Sequence, residues 1–232
     1  MKNILLIGGS YGIGLAIAKE LQYDNKIYIA SRTKEEIGDM HVTHIPFDAT
    51  TDTLDTSLLP AVLDGLVYCP GSINLRPFKG LKIDAFENDL QINFLNLVKV
   101  LQTVLPNLTA SNQSSVVLFS TVAATMGMPF HTSVSASKGA IEGFAKALAA
   151  EYAPKIRVNV IAPSLTDTPL ANKFLNSEEK KEKSAARNPL KKVGTSEDVA
   201  QMASFLLSEK SNWISGQIFH VDGGMSTLLV NG

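Results

Sequence analysis

The chain has 232 residues, of which 45% are hydrophobic and 19% charged, and its formal net charge is −1. At this length one domain with a large buried core is the natural expectation, although two small domains would also fit. The near-neutral balance offers no bulk attraction for nucleic acid or a membrane surface, and no apolar run reaches the roughly 18 residues of a transmembrane helix.

From Met1 the chain enters a short apolar run, residues 4–7, that ends at Gly8 and Gly9. Such a run reads as a strand buried on both faces of a parallel sheet. It is too short for a signal-peptide core, so a cytoplasmic protein is expected. After Gly14, Leu15, Ile17, Ala18 and Leu21 recur at helical spacing. Residues 26–30 read as a second strand, 44–47 as a third and 63–69 as a fourth, closed by Pro70-Gly71. The single cysteine, Cys69, excludes an intrachain disulfide, and its apolar surroundings favour a buried thiol over a nucleophile.

A long helical pattern covers residues 83–108, carried by Phe86, Leu90, Leu97, Val100 and Leu101. Residues 115–119 follow as a fifth strand, 135–152 as an Ala-rich helix and 156–161 as a sixth strand. A helix over 196–207 and a strand over 217–221 complete the chain, with no internal repeat. This alternation predicts an α/β protein, a parallel sheet of about seven strands with helices on both faces.

Residues 163–189 break the alternation. The charge run Glu178-Glu179-Lys180-Lys181-Glu182-Lys183 reads as a solvated helix. Long insertions at the carboxyl end of a strand are also where ligand-covering lids sit. Residues 164–190 are therefore expected to cover a substrate and to order on binding it.

Gly8-Gly9-Ser10-Tyr11-Gly12-Ile13-Gly14 joins the first strand to the first helix. Glycines at such a turn let the backbone approach a pyrophosphate, and the helix N-terminus supplies unpaired N–H groups and a positive dipole end. In a strand–turn–helix context this predicts a dinucleotide site. The second strand ends at Arg32, where an NAD site usually carries an acid for the ribose 2′-hydroxyl. A guanidinium suits a 2′-phosphate, so NADP(H) is favoured over NAD(H). No metal ligand set is expected.

With these features the chain resembles the short-chain dehydrogenase/reductase family over nearly its whole length. The spaced glycines Gly8 or Gly9, Gly12 and Gly14 match that family's first turn. Asp48, in Phe47-Asp48-Ala49-Thr50, is similar to the acid that contacts adenine. Asn93, in Ile92-Asn93-Phe94, is similar to the asparagine that supports a proton-relay water. Ser137-Lys138-Gly139-Ala140 matches the stretch around the catalytic lysine. The run 157–163, ending at Pro163, resembles the strand that leads to the nicotinamide, with Thr166 and Thr168 where the family touches carboxamide and phosphates. Asp222-Gly223-Gly224 matches the C-terminal signature. The resemblance implies a single-domain, doubly wound Rossmann fold over residues 1–232, a small-molecule substrate, and a homodimer or homotetramer built on helices near 86–108 and 135–152. Ala145, Ala147, Ala149 and Ala150 suit close helix packing or packing on the sheet.

Two turns depart mildly from the family pattern, Tyr68-Cys69-Pro70-Gly71 and Pro163-Ser164. One departure is severe. The family places a tyrosine four residues before the lysine, where the phenol donates a proton as hydride arrives. Here that position is Val134. Thr121, thirteen residues earlier, stands where the family has serine, with Ser120 beside it. His131 lies seven residues before Lys138, the spacing at which the related enoyl-acyl-carrier-protein reductases place their tyrosine. Histidine is a competent general acid, although a loop histidine packed beside Pro129 and Phe130 reads the same way. Ser133 and Ser135 are expected to point elsewhere.

Three readings remain. The first is an NADP(H)-dependent oxidoreductase acting on a small carbonyl, alcohol or activated alkene, with His131, Thr121 or an Asn93–Lys138 water chain as proton source. The second is a catalytically inactive NADP(H)-binding sensor or partner subunit. The third, a structural subunit with a relic site, gives no physical reason to keep the glycine turn, Arg32, Asn93 and Lys138.

Overall fold

A computed structural model describes residues 1–230. Its first half contains β1 (Asn3–Ile7), α1 (Gly12–Leu21), β2 (Lys26–Ser31), β3 (Val42–Pro46), β4 (Gly65–Tyr68), α2 (Ile83–Leu90), α3 (Asn96–Thr109) and β5 (Ser114–Phe119). The second half contains α4 (Thr132–Tyr152), β6 (Ile156–Pro163), β7 (Thr166–Asp167), α5 (Asn172–Leu175), α6 (Glu178–Ala186), β8 (Gly194–Thr195), α7 (Ser196–Leu207) and β9 (Ile218–Val221). Seven strands form one sheet in the order β3-β2-β1-β4-β5-β6-β9, and every neighbouring pair is parallel. The two-residue strands β7 and β8 pair with each other, β7 near the start of the segment expected to act as a lid and β8 just beyond its end.

The continuous apolar run of β1 has its reason in two cores. Leu5 and Ile7 pack on one face of the sheet with Leu97 and Val104 of α3 and Ile141 of α4. Ile4 and Leu6 face the other side, against Ile17 of α1 and Val199 and Ala203 of α7. Each fully buried side chain of this size contributes roughly 1.5–3 kcal/mol relative to exposure. From β1 the chain builds outward through β2 and β3, then returns to place β4 on the opposite edge of β1. The order of strands reverses at this point, which opens a crevice at their carboxyl ends. Among the described residues no helix is long and apolar enough to cross a membrane.

The helical pattern expected over 83–108 is not one helix. A five-residue π-helical turn, Gln91–Leu95, separates α2 from α3 and carries Asn93 into the interior. On α2, Leu90 is 38% exposed whereas Asp89 is buried, the reverse of their hydropathy, because Ser72 and Ser133 supply hydroxyl donors to the Asp89 carboxylate. Helix α4 begins at Thr132, about a turn before the expected 135, with the Ser135 N–H bonded to the His131 carbonyl. Its alanines divide: Ala145 and Ala149 pack on the sheet, and Ala147 and Ala150 are exposed.

Candidate active site

The turn after β1 can form only with glycine at several positions. Gly8 and Gly12 have φ of +76° and +58°, a region that costs other residues. A Cβ on Gly14 would stand 2.5 Å from the Gly8 carbonyl oxygen and 2.9 Å from the Gly9 Cα. Gly9 has a different job: it faces the sheet, where a Cβ would meet Leu6 and Ile29. Tyr11, the residue preceding α1, makes no side-chain cap, so the first N–H groups of the helix are left for a ligand.

These groups line a cavity of about 250 Å³ with Gly8, Ser10, Gly12, Ile13 and Gly14 on one wall. Arg32, Asp48 and Thr168 also line it. Arg32 is exposed at the end of β2. The Asp48 carboxylate accepts from the Thr50 hydroxyl and backbone N–H at 2.6 and 2.8 Å. Those two bonds hold it below the ordinary carboxylate range. Both engage the same oxygen, which leaves Oδ2 for a ligand. The shape, the uncapped helix end and the cation at the rim fit a dinucleotide phosphate.

A second cavity of about 570 Å³ adjoins the first and shares Ile13, Cys69, Gly71, Thr168 and Leu170 with it. Thr121, His131, Val134 and Lys138 line its wall, with Pro163 and Thr166. Lys138 is buried, and its Nζ donates to the Phe119 carbonyl at 3.0 Å. Burial pulls its pKa from 10.5 down to about 8, with Cys69 and Asp89 opposing the shift. One turn earlier, Val134 is 5% exposed and brings no ionisable group to the wall. The Thr121 oxygen accepts from the Ala123 N–H at 3.3 Å, so its own proton is available. His131 is half-buried. Its Nδ1 lies 2.8 Å from the Pro129 carbonyl, which can only accept, so Nδ1 carries a proton.

Cys69 departs from expectation. It is half-buried, packing against the core on one side and lining both cavities on the other. Desolvation still pushes its thiol up to about 12, with Lys138 pulling the other way, which keeps it protonated and a poor nucleophile. Ser120 donates to the Glu142 carboxylate at 2.6 Å and is committed there. Ser133 and Ser135 do point elsewhere, to Asp89 and to the Ala123 carbonyl.

Asn93 does not line either cavity. It is fully buried directly behind Gly71, where a Cβ would stand 3.2 Å from Asn93 Oδ1 and 3.4 Å from Lys138 Nζ. Its amide group donates to the Ser72 and Ser137 hydroxyls at 2.9 and 3.0 Å, and its oxygen accepts from the Ser72 N–H. Through Ser72 this network reaches the buried Asp89 carboxylate. Sequence reasoning missed Ser72, Asp89 and Ser137 as a unit, because a single acid on an amphipathic helix looks like a surface residue. It also missed the basic residues of α5 and α6 that line the larger cavity, Lys173, Lys180, Lys183 and Arg187. Their helical spacing was the available signal.

A family model described as enoyl-(acyl carrier protein) reductase matches residues 8–226. The chain is 29% identical to a 3-oxoacyl-(acyl-carrier-protein) reductase, FabG, of Buchnera aphidicola, over 97% of each chain. It is 30% identical to a tropinone reductase homolog of Arabidopsis thaliana, over 99% of this chain and 94% of that one. Its fold is similar to that of ElxO with NADP bound, with a TM-score of 0.89, 27% identity, and coverage of 98% of this chain and 100% of that one. A tyrosine-to-phenylalanine variant of ElxO with NADPH bound is similar too, with a TM-score of 0.87, 26% identity and the same coverage. A match of this extent, on a seven-stranded parallel sheet whose crevice opens beside a glycine-rich turn, means that the protein belongs to the short-chain dehydrogenase/reductase family of oxidoreductases.

Proposed function

We propose that the protein is an NADP(H)-dependent reductase of a small carbonyl or activated alkene, and that it works without a phenol at the reacting oxygen. The observation that carries this reading is the shared wall of the larger cavity. There Lys138 and Thr121 present N–H and O–H donors beside Val134, which offers none. ElxO, bound to NADP and, as a tyrosine-to-phenylalanine variant, to NADPH, supports the cofactor assignment.

The nicotinamide cofactor, when bound, supplies or accepts the hydride. The turn from Gly8 to Gly14 and the start of α1 hold the diphosphate, and Arg32 receives the 2′-phosphate. Asp48 Oδ2 accepts from the adenine amino group. Pro163, Thr166 and Thr168 bound the nicotinamide end. Lys138 has two N–H bonds left after serving Phe119; one holds a ribose hydroxyl and the other keeps a proton beside the substrate oxygen. Thr121 donates to that oxygen. His131 can donate from Nε2 only as an imidazolium, since Nδ1–H is committed to Pro129. Asn93, spent on Ser72 and Ser137, positions the loop and helix that frame Lys138. An alkene that needs little protonation on oxygen suits this set best.

The whole chain is read as one domain with residues 164–190 as its lid. Homo-oligomerisation is part of the proposal and rests on Ile83, Leu90 and Leu95, which are 69%, 38% and 39% exposed along α2 and the π-helical turn. Light scattering tests it, and a monomer would remove it. A second reading, an NADP(H)-binding protein without turnover, is favoured by Val134 itself, a buried side chain with no proton to give.

Titration with NADPH and with NADH, followed by nicotinamide fluorescence, and then NADPH consumption across enones and carbonyls, separates these readings. Turnover that falls in Thr121→Ala while NADPH still binds supports the reductase. Tight binding with no turnover supports the second reading, and no binding overturns both.

A further inference from the structure

Helix α6 turns a face without carboxylates toward the larger cavity. Lys180, Lys183, Ser184 and Arg187 follow one another at the spacing of a single helix face, and all four line the larger cavity. Glu178, Glu179 and Glu182 of the same helix do not line it. Among the described residues no carboxylate lines that cavity at all.

Besides Lys138, four cations from α5, α6 and the end of α6 line it, and two of these four are already engaged. Lys173 Nζ donates across the mouth to the Ile73 carbonyl at 2.8 Å, and Lys180 Nζ donates to Asn176 Oδ1 at 2.7 Å. The remaining two, Lys183 and Arg187, have no side-chain hydrogen bond or ion pair among the described residues; the ion pairs found join Lys181 to Asp167 and Lys192 to Asp198. They stand one turn apart over a wall built from Leu75, Met128, Val134, Leu165 and Phe174. None of the α5 or α6 cations lines the smaller cavity, where Arg32 lies, so they are not placed to serve the adenine end of a dinucleotide.

An apolar wall under two unpaired cations, with no competing acid, selects a molecule with an apolar body and an anionic end. We propose that the substrate is an amphipathic anion. Its alkyl or acyl body lies along the wall past Val134, and its carboxylate or phosphate head sits at Lys183 and Arg187. This rests on the reading of the larger cavity as the substrate site. It also gives the charge run of α6 a purpose beyond solubility: the lid carries its own electrostatic selector.

The test uses calorimetry on the full chain, with and without saturating NADPH, and three probes that share one body: octanoate, octyl phosphate and octanol. Both anions are expected to bind ahead of the alcohol, the stronger of them identifying the head. The double variant K183Q/R187Q should lose about fivefold in anion affinity, the worth of two partly exposed ion pairs. Its affinity for octanol and for NADPH, and its melting temperature, should stay the same. The variant K181Q, which removes one charge from the same helix but outside the cavity, should bind octanoate like the parent and so separates a built site from bulk potential. Octanol binding as well as the anions, no binding of any probe, or K181Q costing as much per charge would overturn the proposal. Failure to bind NADPH in the same cell would instead remove the cofactor reading, and the runs without NADPH would still decide the rim.

Discussion

Lys138 Nζ donates to the Phe119 carbonyl at 3.0 Å and so ties the first half of α4 to the carboxyl end of β5. The ammonium group gains that bond but loses most of its water to burial, and its pKa falls from 10.5 to about 8. The folded chain therefore releases this proton before the unfolded chain does. Below about pH 8 the burial cost is fully present, and between that pH and 10.5 the unfolded state binds more protons. The unfolding free energy should rise there by up to about 1.4 kcal/mol per pH unit relative to Lys138→Met. Urea melts of the two proteins across that window check the difference. Reductive turnover should fall over the same range as the proton beside the substrate oxygen is lost.

Gly14→Ala forces a Cβ to within 2.5 Å of the Gly8 carbonyl. Overpacking of rigid backbone should cost at least about 2 kcal/mol. NADPH binding should disappear, because the turn must open to make room. Thermal melts read the first effect and fluorescence titration the second.

Arg32→Asp should weaken NADPH binding more than NADH binding. The exposed guanidinium is replaced by a carboxylate that repels a 2′-phosphate but accepts from a 2′-hydroxyl. Equal losses for both nucleotides would remove the assignment.

Neighbouring hydroxyls should separate cleanly. Ser120 is bonded to Glu142, so Ser120→Ala should lower stability by about 1 kcal/mol and leave turnover alone. Thr121 has a free proton on the cavity wall. Thr121→Ala should cut turnover roughly tenfold with little change in melting temperature. Steady-state kinetics beside calorimetric melts would show the crossing pattern.

Asn93→Ala strips partners from the Ser72 N–H and from two hydroxyls in a fully buried network. A loss of about 1–3 kcal/mol is expected. Hydrogen exchange should report faster opening at Ser72 than at strands such as β1.

The strands were legible because burial on both faces leaves an unbroken apolar run, as at residues 4–7. The turn after β1 was legible because only glycine tolerates its dihedrals and contacts. On α2 the same logic misled. Leu90 looks like core and Asp89 like surface, but the π-helical turn and the hydroxyls of Ser72 and Ser133 reverse them. Hydropathy describes a side chain alone, and a buried carboxylate is decided by partners 17 and 44 residues away.

From sequence alone came the α/β architecture, the dinucleotide turn, and the juxtaposition of Val134 and Lys138 on one face of a helix. These are consequences of backbone sterics and short-range periodicity, which act within a few residues. Tertiary structure alone decided that Asn93 lies behind Gly71, that the Ser120 hydroxyl is taken by Glu142 while that of Thr121 stays free on the same wall, and that α6 turns Lys180 and Lys183 inward. Each of those outcomes depends on which polar group finds a partner across the fold, and that competition is settled only when distant elements pack.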